Sequence, residues 1–397
     1  MTSMEFEQLL APEVQNYLIE KTGISIAQLA LQKNPFEQLD YKVLLNQIEA
    51  RGKSKEKLPT WFASKNIIYP AKISIEQTSS EATARYKASL VSGNSLIDLT
   101  GGFGVDDYYF AQNIAQVHHC EINPELSVIV QHNYKQLGVA NISCYANDSE
   151  QVLLDLNQSF DWIYIDPSRR NDAKGKVFML KDCLPNVPEL MSFYFKYSKA
   201  ILIKTAPILD LSAGLSELDF VKTIHIIALD NEVKELLWEI EQDYSGAIQI
   251  KTVNLKKGVE EHFSFPLNAH PKVAYSEPQK YLYEPNSAIM KSGGFDEISA
   301  SFGLSKLHQH SHLYTADQLI QFPGRVFEIT QILPYSKKEM KAHIEQQKMN
   351  ITTRNFPDTV EQIRKKWKVK EGGSLYCFFT TDLNNDKIAL ICTKINI

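Results

Sequence analysis

At 397 residues the chain is too long for one ordinary core, and about two to four domains are expected. Apolar residues at 44% and charged residues at 22% exclude a chain that is disordered as a whole. The net charge of -5 excludes a global attraction to nucleic acid, yet residues 322–397 hold 13 Lys and Arg against 8 Asp and Glu, a local +5 on a remainder of -10. Such a tail suits a polyanionic partner, and a solvated charged face explains the same numbers. Cys120, Cys144, Cys183, Cys377 and Cys392 are odd in number and outside CxxC spacing, which points to reduced thiols and to neither a disulfide framework nor a metal site. Met1 to Pro12 lacks the basic start and apolar core of a signal peptide, and no apolar run reaches the ~18 residues of a membrane span, so a cytoplasmic setting is expected.

In chain order, residues 1–75 read as a small helical domain. Apolar positions recur at helical spacing after Pro12, around Ile26–Leu31 and over Tyr41–Ile48, and Gly52-Lys53-Ser54-Lys55 is expected to break the last run. Residues 76–268 read as an α/β domain. A helix over Glu81–Leu90 leads to the apolar strand Ser95–Thr100. A glycine turn and a helix over Asp106–Ala115 follow, and strands then alternate with helices: Gln116–Glu121, Pro124–Leu137, Ile142–Ala146, Ser149–Leu156, Phe160–Ile165, Pro188–Lys196 and Ala200–Lys204. Short buried strands with helical crossovers predict a parallel sheet covered on both faces. Val221–Leu229, Leu236–Ile240 and Ala247–Leu255 should finish it at one edge, the last two paired antiparallel through the turn Asp243–Gly246. A small α/β module spans 269–321. Residues 322–397 read as strand, helix (Lys337–Gln347), helix (Val360–Trp367) and a hairpin of Ser374–Thr380 with Lys387–Cys392.

Four motifs fall at strand C-termini, the edge where open α/β sheets bind ligands. Gly101, Gly102 and Gly104, after Asp98, let the backbone turn sharply and meet a ligand at the next helix N-terminus; a mere tight turn is the plainer explanation. Glu121, 17 positions beyond Gly104, ends the next strand, where a carboxylate accepts hydrogen bonds from ribose hydroxyls. Asp148 ends the third strand, where an adenine amino group can be bound. Asp166-Pro167-Ser168-Arg169-Arg170 ends the fourth.

These residues resemble the class I S-adenosylmethionine-dependent methyltransferases. Asp98 with the glycines looks like the first motif of that family, Glu121 like its ribose-binding acid and Asp148 like its adenine contact. Asp166-Pro167-Ser168-Arg169 is similar to a fourth motif that is commonly Asp/Asn-Pro-Pro followed by an aromatic residue; here Ser168 and Arg169 stand in place of the second proline and the aromatic. Glu76–Glu81, Ala84–Lys87, Tyr281–Pro285, Arg354-Asn355-Phe356-Pro357 and the stretch around Lys368, Lys370 and Gly372-Gly373 resemble a bacterial branch with a C-terminal THUMP-like domain. The resemblance implies a Rossmann-like seven-stranded sheet between a helical N-terminal domain and small C-terminal α+β domains, a ferredoxin-like module over 269–321 and a THUMP-like domain over 322–397. It also implies S-adenosyl-L-methionine as cofactor.

On this reading Asp98 and the glycine loop hold the methionyl part, Glu121 the ribose and Asp148 the adenine. Asp166 and the Pro167 carbonyl orient an amine acceptor. Arg169 and Arg170 clamp a substrate phosphate or carboxylate, or pair with acids such as Asp172, and Lys204 faces the pocket or is an exposed strand end. His118 and His119 read as core or surface residues, with no metal implied. Gln77–Ser80 either close over the donor or cap a helix. Arg364–Lys370 gathers five cations around Trp367, which suits RNA; a solvated helix with a buried indole accounts for it too. RNA methylation, with an exocyclic base amine as one suitable acceptor, is the leading expectation. The alternatives are a methyltransferase for a small molecule or protein side chain, and a non-catalytic S-adenosylmethionine- or RNA-binding protein. A dehydrogenase is disfavoured because Gly101-Gly102-Phe103-Gly104 is not GxGxxG.

Overall fold

The computed structural model describes residues 3–70, 72–169 and 179–396, and the chain divides into two compact units: Met1–Lys222 with Leu236–Gly246, and Thr223–Glu235 with Ala247–Ile397. In the first unit, helices Pro12–Lys21, Ile26–Ala30 and Tyr41–Lys57 bury Val14, Leu18, Leu29, Leu44 and Ile48 at helical spacing. Contrary to the expected break, the third of these runs through Gly52-Lys53-Ser54-Lys55 to Lys57, where Ser54 is buried and donates its hydroxyl back to the Arg51 carbonyl. Asp40 opens that helix by accepting from the Lys42 N–H.

The sheet begins at β1 (Gly93–Asp98), followed by β2 (Ile114–Cys120), β3 (Ile142–Tyr145), β4 (Trp162–Ile165), β5 (Ala200–Thr205), β6 (Val221–Leu229), β7 (Glu232–Glu241), β8 (Gln249–Lys256) and β9 (Val259–Pro266). Its order is β9-β8-β6-β7-β5-β4-β1-β2-β3. Strands β1 to β5 pair in parallel, and β7 runs antiparallel to β5. Read from β3, the first seven strands have the order 3-2-1-4-5-7-6 of the expected Rossmann-like methyltransferase sheet. The turn at 243–246 does not pair β7 with β8. Instead β8 lies parallel to β6 and antiparallel to β9, a strand whose polar-apolar alternation at the sheet edge carried too weak an apolar signal to be read. The helix after the glycine loop is shorter than expected, Val105–Phe110, and β2 begins already at Ile114.

The second unit also holds an eight-stranded sheet. Its longer strands are β10 (Tyr281–Pro285), β11 (Gly324–Pro334), β12 (Asn350–Thr353), β13 (Leu375–Thr381) and β14 (Lys387–Ile395), in the order β10-β11-β14-β13-β12. Short strands at Ala274–Tyr275, Ser305–Lys306 and Tyr314–Ala316 extend it beyond β10. One face packs Met340, Ile363, Trp367, Cys377 and Phe379 into an apolar cluster, and another cluster joins Leu282, Phe327, Phe378 and Leu390. Among the described residues no helix is long and apolar enough to cross a membrane.

Candidate active site

The register aligns the C-terminal ends of the parallel strands, with Asp98 opposite both His119 and Tyr164, Cys120 opposite Tyr145, and Ile165 opposite Ile203. The residues that follow each strand therefore leave the sheet side by side, spaced by about 4.8 Å per strand. This edge carries the loop Leu99–Gly104, then Glu121, Asn147-Asp148 and Asp166-Pro167.

Thr100 ties the loop together. Its N–H and hydroxyl donate to Asp98 Oδ1 at 2.7 and 3.1 Å, and its Oγ1 accepts from the Asp166 N–H at 2.7 Å. Asp98 is buried behind the loop, and burial, reinforced by Asp107, pushes its carboxyl well above the usual range. Glu121 accepts from the Gly102 N–H at 3.0 Å and from the Asn123 N–H at 2.7 Å. The sequence-predicted group thus converges in two linked pairs, Asp98 with Asp166 through Thr100, and Gly102 with Glu121.

The glycines differ in purpose. A side chain at Gly101 would run into the His119 ring and one at Gly104 into the Tyr134 hydroxyl, so these two are required by protein packed behind the loop. Gly102, at φ 56°, meets only the Thr100 carbonyl oxygen at 3.7 Å and otherwise faces open space. Of the three, Gly102 is the one a ligand can approach.

Asp148 is exposed and caps the helix Ser149–Leu156, accepting from the N–H groups of Glu150 at 3.0 Å and Gln151 at 3.3 Å through Oδ1. Pro167 is buried. Lys204 points back along the sheet edge and donates to Asp166 Oδ2, with its side chain 13% exposed against 37% for Asp166. It is neither a loose strand end nor a surface lysine. Ser168 and Arg169 form a two-residue ladder with Cys183 and Leu184; Arg170 and Asp172 lie outside the described residues.

Sequence reasoning missed the support beneath this edge. Lys87, wholly buried, pairs with Asp106 at 2.9 Å, and Asp106 Oδ2 accepts from Ser79 Oγ at 2.9 Å and Tyr164 Oη at 2.8 Å. Burial works against ionisation of Asp106, but Lys87 and Lys204 hold its carboxyl below the usual range. Beside it, Asp107 and His119 Nδ1 lie 2.7 Å apart with no exposure. Burial pushes the Asp107 carboxyl up, with Asp106 adding to it, and pushes the His119 imidazole down, so burial works against charge on both partners. An Asp-Asp pair right after a glycine turn was the only sequence signal, and it reads equally as a helix first turn. Ser80 is a plain helix cap, accepting from the Thr83 N–H at 3.2 Å, while Ser79 belongs to the buried network.

In the tail, Trp367 is 7% exposed inside the apolar cluster and does not offer its ring to a base. The indole supplies the buried face of the helix Val360–Trp367, while Lys365, Lys366, Lys368 and Lys370 are exposed. Arg364 pairs with Glu371 at 3.1 Å and Lys366 with Asp358 at 3.4 Å. Stacking on Trp367 is excluded by packing.

Family models match residues 281–323 as a ferredoxin-like domain and residues 324–394 as a THUMP domain-like segment. The crystal structure of a candidate methyltransferase from Porphyromonas gingivalis W83 matches at 28% identity over 98% of this chain and 99% of that one, with a TM-score of 0.87. An rRNA methylase from Streptococcus thermophilus matches at 15% identity over 40% of this chain and 93% of that one, with a TM-score of 0.30. TrmK of M. capricolum, in complex with S-adenosyl-homocysteine, matches at 16% identity over 41% and 68%, with a TM-score of 0.32. No curated protein matches the sequence.

Proposed function

Because this chain joins a class I methyltransferase fold to a C-terminal THUMP-domain-like segment, we propose that it is an S-adenosylmethionine-dependent RNA methyltransferase. The observation that carries the reading is the common edge on which Gly102, Glu121, Asp148 and Asp166 follow four adjacent strands. The residues suit the cofactor. Gly102 leaves open space at the loop, Glu121 stands beside it on the next strand, and Asp148 keeps Oδ2 outside its helix cap. Gly101 and Gly104 shape the loop that carries Gly102, and Asp98 holds it through Thr100.

S-adenosylmethionine supplies a methyl group already activated on a sulfonium, so the chain has chiefly to align an acceptor and exclude water, which is worth ~7–11 kcal/mol when geometry is right. Asp166 accepts a hydrogen bond from the acceptor and stabilises positive charge growing on it. Lys204 orients Asp166 and presents a cation at the same place, and Arg169 and Arg170 remain proposed contacts to the substrate. An RNA base would have to leave its stack to reach Asp166.

A second reading, a small-molecule or protein acceptor, draws on the fact that Lys204 already occupies Asp166 Oδ2, so an amine has to share that carboxylate. Calorimetry with S-adenosylmethionine against NAD tests the cofactor. Methyl incorporation into RNA and into protein from a deletion strain, each compared with wild type, separates the acceptors. Asp166→Ala should bind the donor and transfer nothing; normal turnover by that variant refutes the role of Asp166.

A further inference from the structure

The second unit holds a cleft of about 270 Å³ whose lining includes Lys256, Arg325, Lys394, Asn231, Asn286 and Asp230. No residue of the cleft belongs to the candidate active site. Its cations are held from below. Glu284, 2% exposed, accepts from Arg325 Nε at 2.6 Å and from Arg325 Nη2 through Oε2, and from Arg354 Nη2 at 2.9 Å through Oε1. One buried carboxylate thus serves two guanidinium groups, and among the described residues Arg325 Nη1 has no hydrogen-bond partner. Glu261 pairs with Lys256 and accepts from Asn286 Nδ2 at 3.0 Å and Asn254 Nδ2 at 2.9 Å. The Asn231 N–H donates to Asn254 Oδ1, and Asn231 Oδ1 accepts from the Ser287 N–H, both at 2.8 Å. Lys394 is exposed, with no carboxylate partner among the described residues.

The charges do not balance. Lys256, Arg325 and Lys394 line the cleft with Asp230. Counting Glu261, Glu284 and Arg354, which lie outside the lining but pair with or share these groups, four cations stand against three carboxylates, and both glutamates are already engaged in pinning cations. An anion completes the set, and three separate N–H donors from Arg325, Lys256 and Lys394 suit an oxyanion with several oxygens better than a carboxylate. We propose that this cleft binds a phosphate group, carried either by single-stranded RNA or by a small phosphorylated metabolite. The local +5 of residues 322–397, which supply Arg325 and Lys394, favours the polyanion. The site stands whether or not RNA is the methyl acceptor.

The test uses the full chain and a fluorescein-labelled single-stranded oligoribonucleotide, with anisotropy followed from about 50 to about 200 mM KCl. Inorganic phosphate and AMP serve as competitors, and Lys394→Glu and Lys256→Gln as variants whose fold is checked by circular dichroism. Each variant should weaken RNA binding about tenfold and lower the salt slope by about 1. If phosphate and AMP bind as tightly as RNA and lose affinity in the same variants, the cleft takes small phosphorylated ligands and the proposal also holds. It is overturned if both folded variants bind RNA and phosphate like the wild type, or if the wild type binds neither. Donor binding, measured by calorimetry on the same samples, reports on the active-site reading separately, so either can fail without the other.

Discussion

The Thr100 hydroxyl accepts a hydrogen bond from the backbone N–H of Asp166 at 2.7 Å, joining the loop after β1 to the motif after β4. The same hydroxyl donates to Asp98, so a single side chain sets the spacing between the glycine loop and the acidic motif. Thr100→Val keeps the shape and removes both bonds. It should cost about 1–3 kcal/mol of stability and lower methyl transfer more than donor affinity. Chemical denaturation and single-turnover rates check this; unchanged turnover would remove Thr100 from the site.

The two neighbouring glycines should respond differently. Gly101→Ala drives a methyl group into the buried His119 ring and should lose about 1–3 kcal/mol of stability. Gly102→Ala meets no neighbour closer than 3.7 Å and pays only for its φ of 56°, about 1 kcal/mol, but it places a methyl group on the open face. Thermal melts should therefore single out Gly101→Ala, and donor titrations Gly102→Ala.

Lys87 is wholly buried against Asp106. Lys87→Met leaves that carboxylate in the core with the Ser79 and Tyr164 hydroxyls and the charge of Lys204 as its remaining support, and should destabilise by about 3–5 kcal/mol. Adding Asp106→Asn should recover part of the loss. A double variant no more stable than Lys87→Met in urea unfolding contradicts the pairing as the cause.

His312 stacks on Phe295 with ring centroids 3.6 Å apart. Burial first, then the nearby Lys306, Arg354 and His310, lowers its imidazole from 6.5 to about 4. The folded state keeps it neutral while the unfolded chain protonates near 6.5. Its contribution to stability is complete above pH 6.5 and is lost as pH falls from there toward about 4. His312→Phe preserves the stack and should flatten the acid limb of the Tm profile between pH 7 and 5; an equally steep limb in the variant counts against it.

Much of the candidate site was legible because strand ends announce themselves. Apolar runs terminate at Asp98, Cys120, Tyr145 and Ile165, and the turn residues that follow must lie along one edge of a parallel sheet. Thr100 and Lys87 were not legible. A threonine ending a strand has no distinctive pattern, and a lysine in Ala84-Arg85-Tyr86-Lys87 looks like the solvent side of a helix until packing buries it. Trp367 was open in the sequence: cations around an indole suit a binding surface or a solvated helix with a buried ring, and the sheet of the second unit takes the indole into its core, which selects the second.

Local periodicity and turn chemistry, both properties of short stretches of chain, determined most strands and helices in chain order, the parallel α/β class and the places of Gly102, Glu121, Asp148 and Asp166 at strand ends, while the seven-stranded Rossmann-like arrangement came from the family resemblance. Tertiary structure decided which glycine faces open space, that Lys204 is bound to Asp166, and that Glu284 gathers Arg325 and Arg354. These depend on residues far apart in sequence whose meeting is set by packing, and short-range pattern carries no record of it.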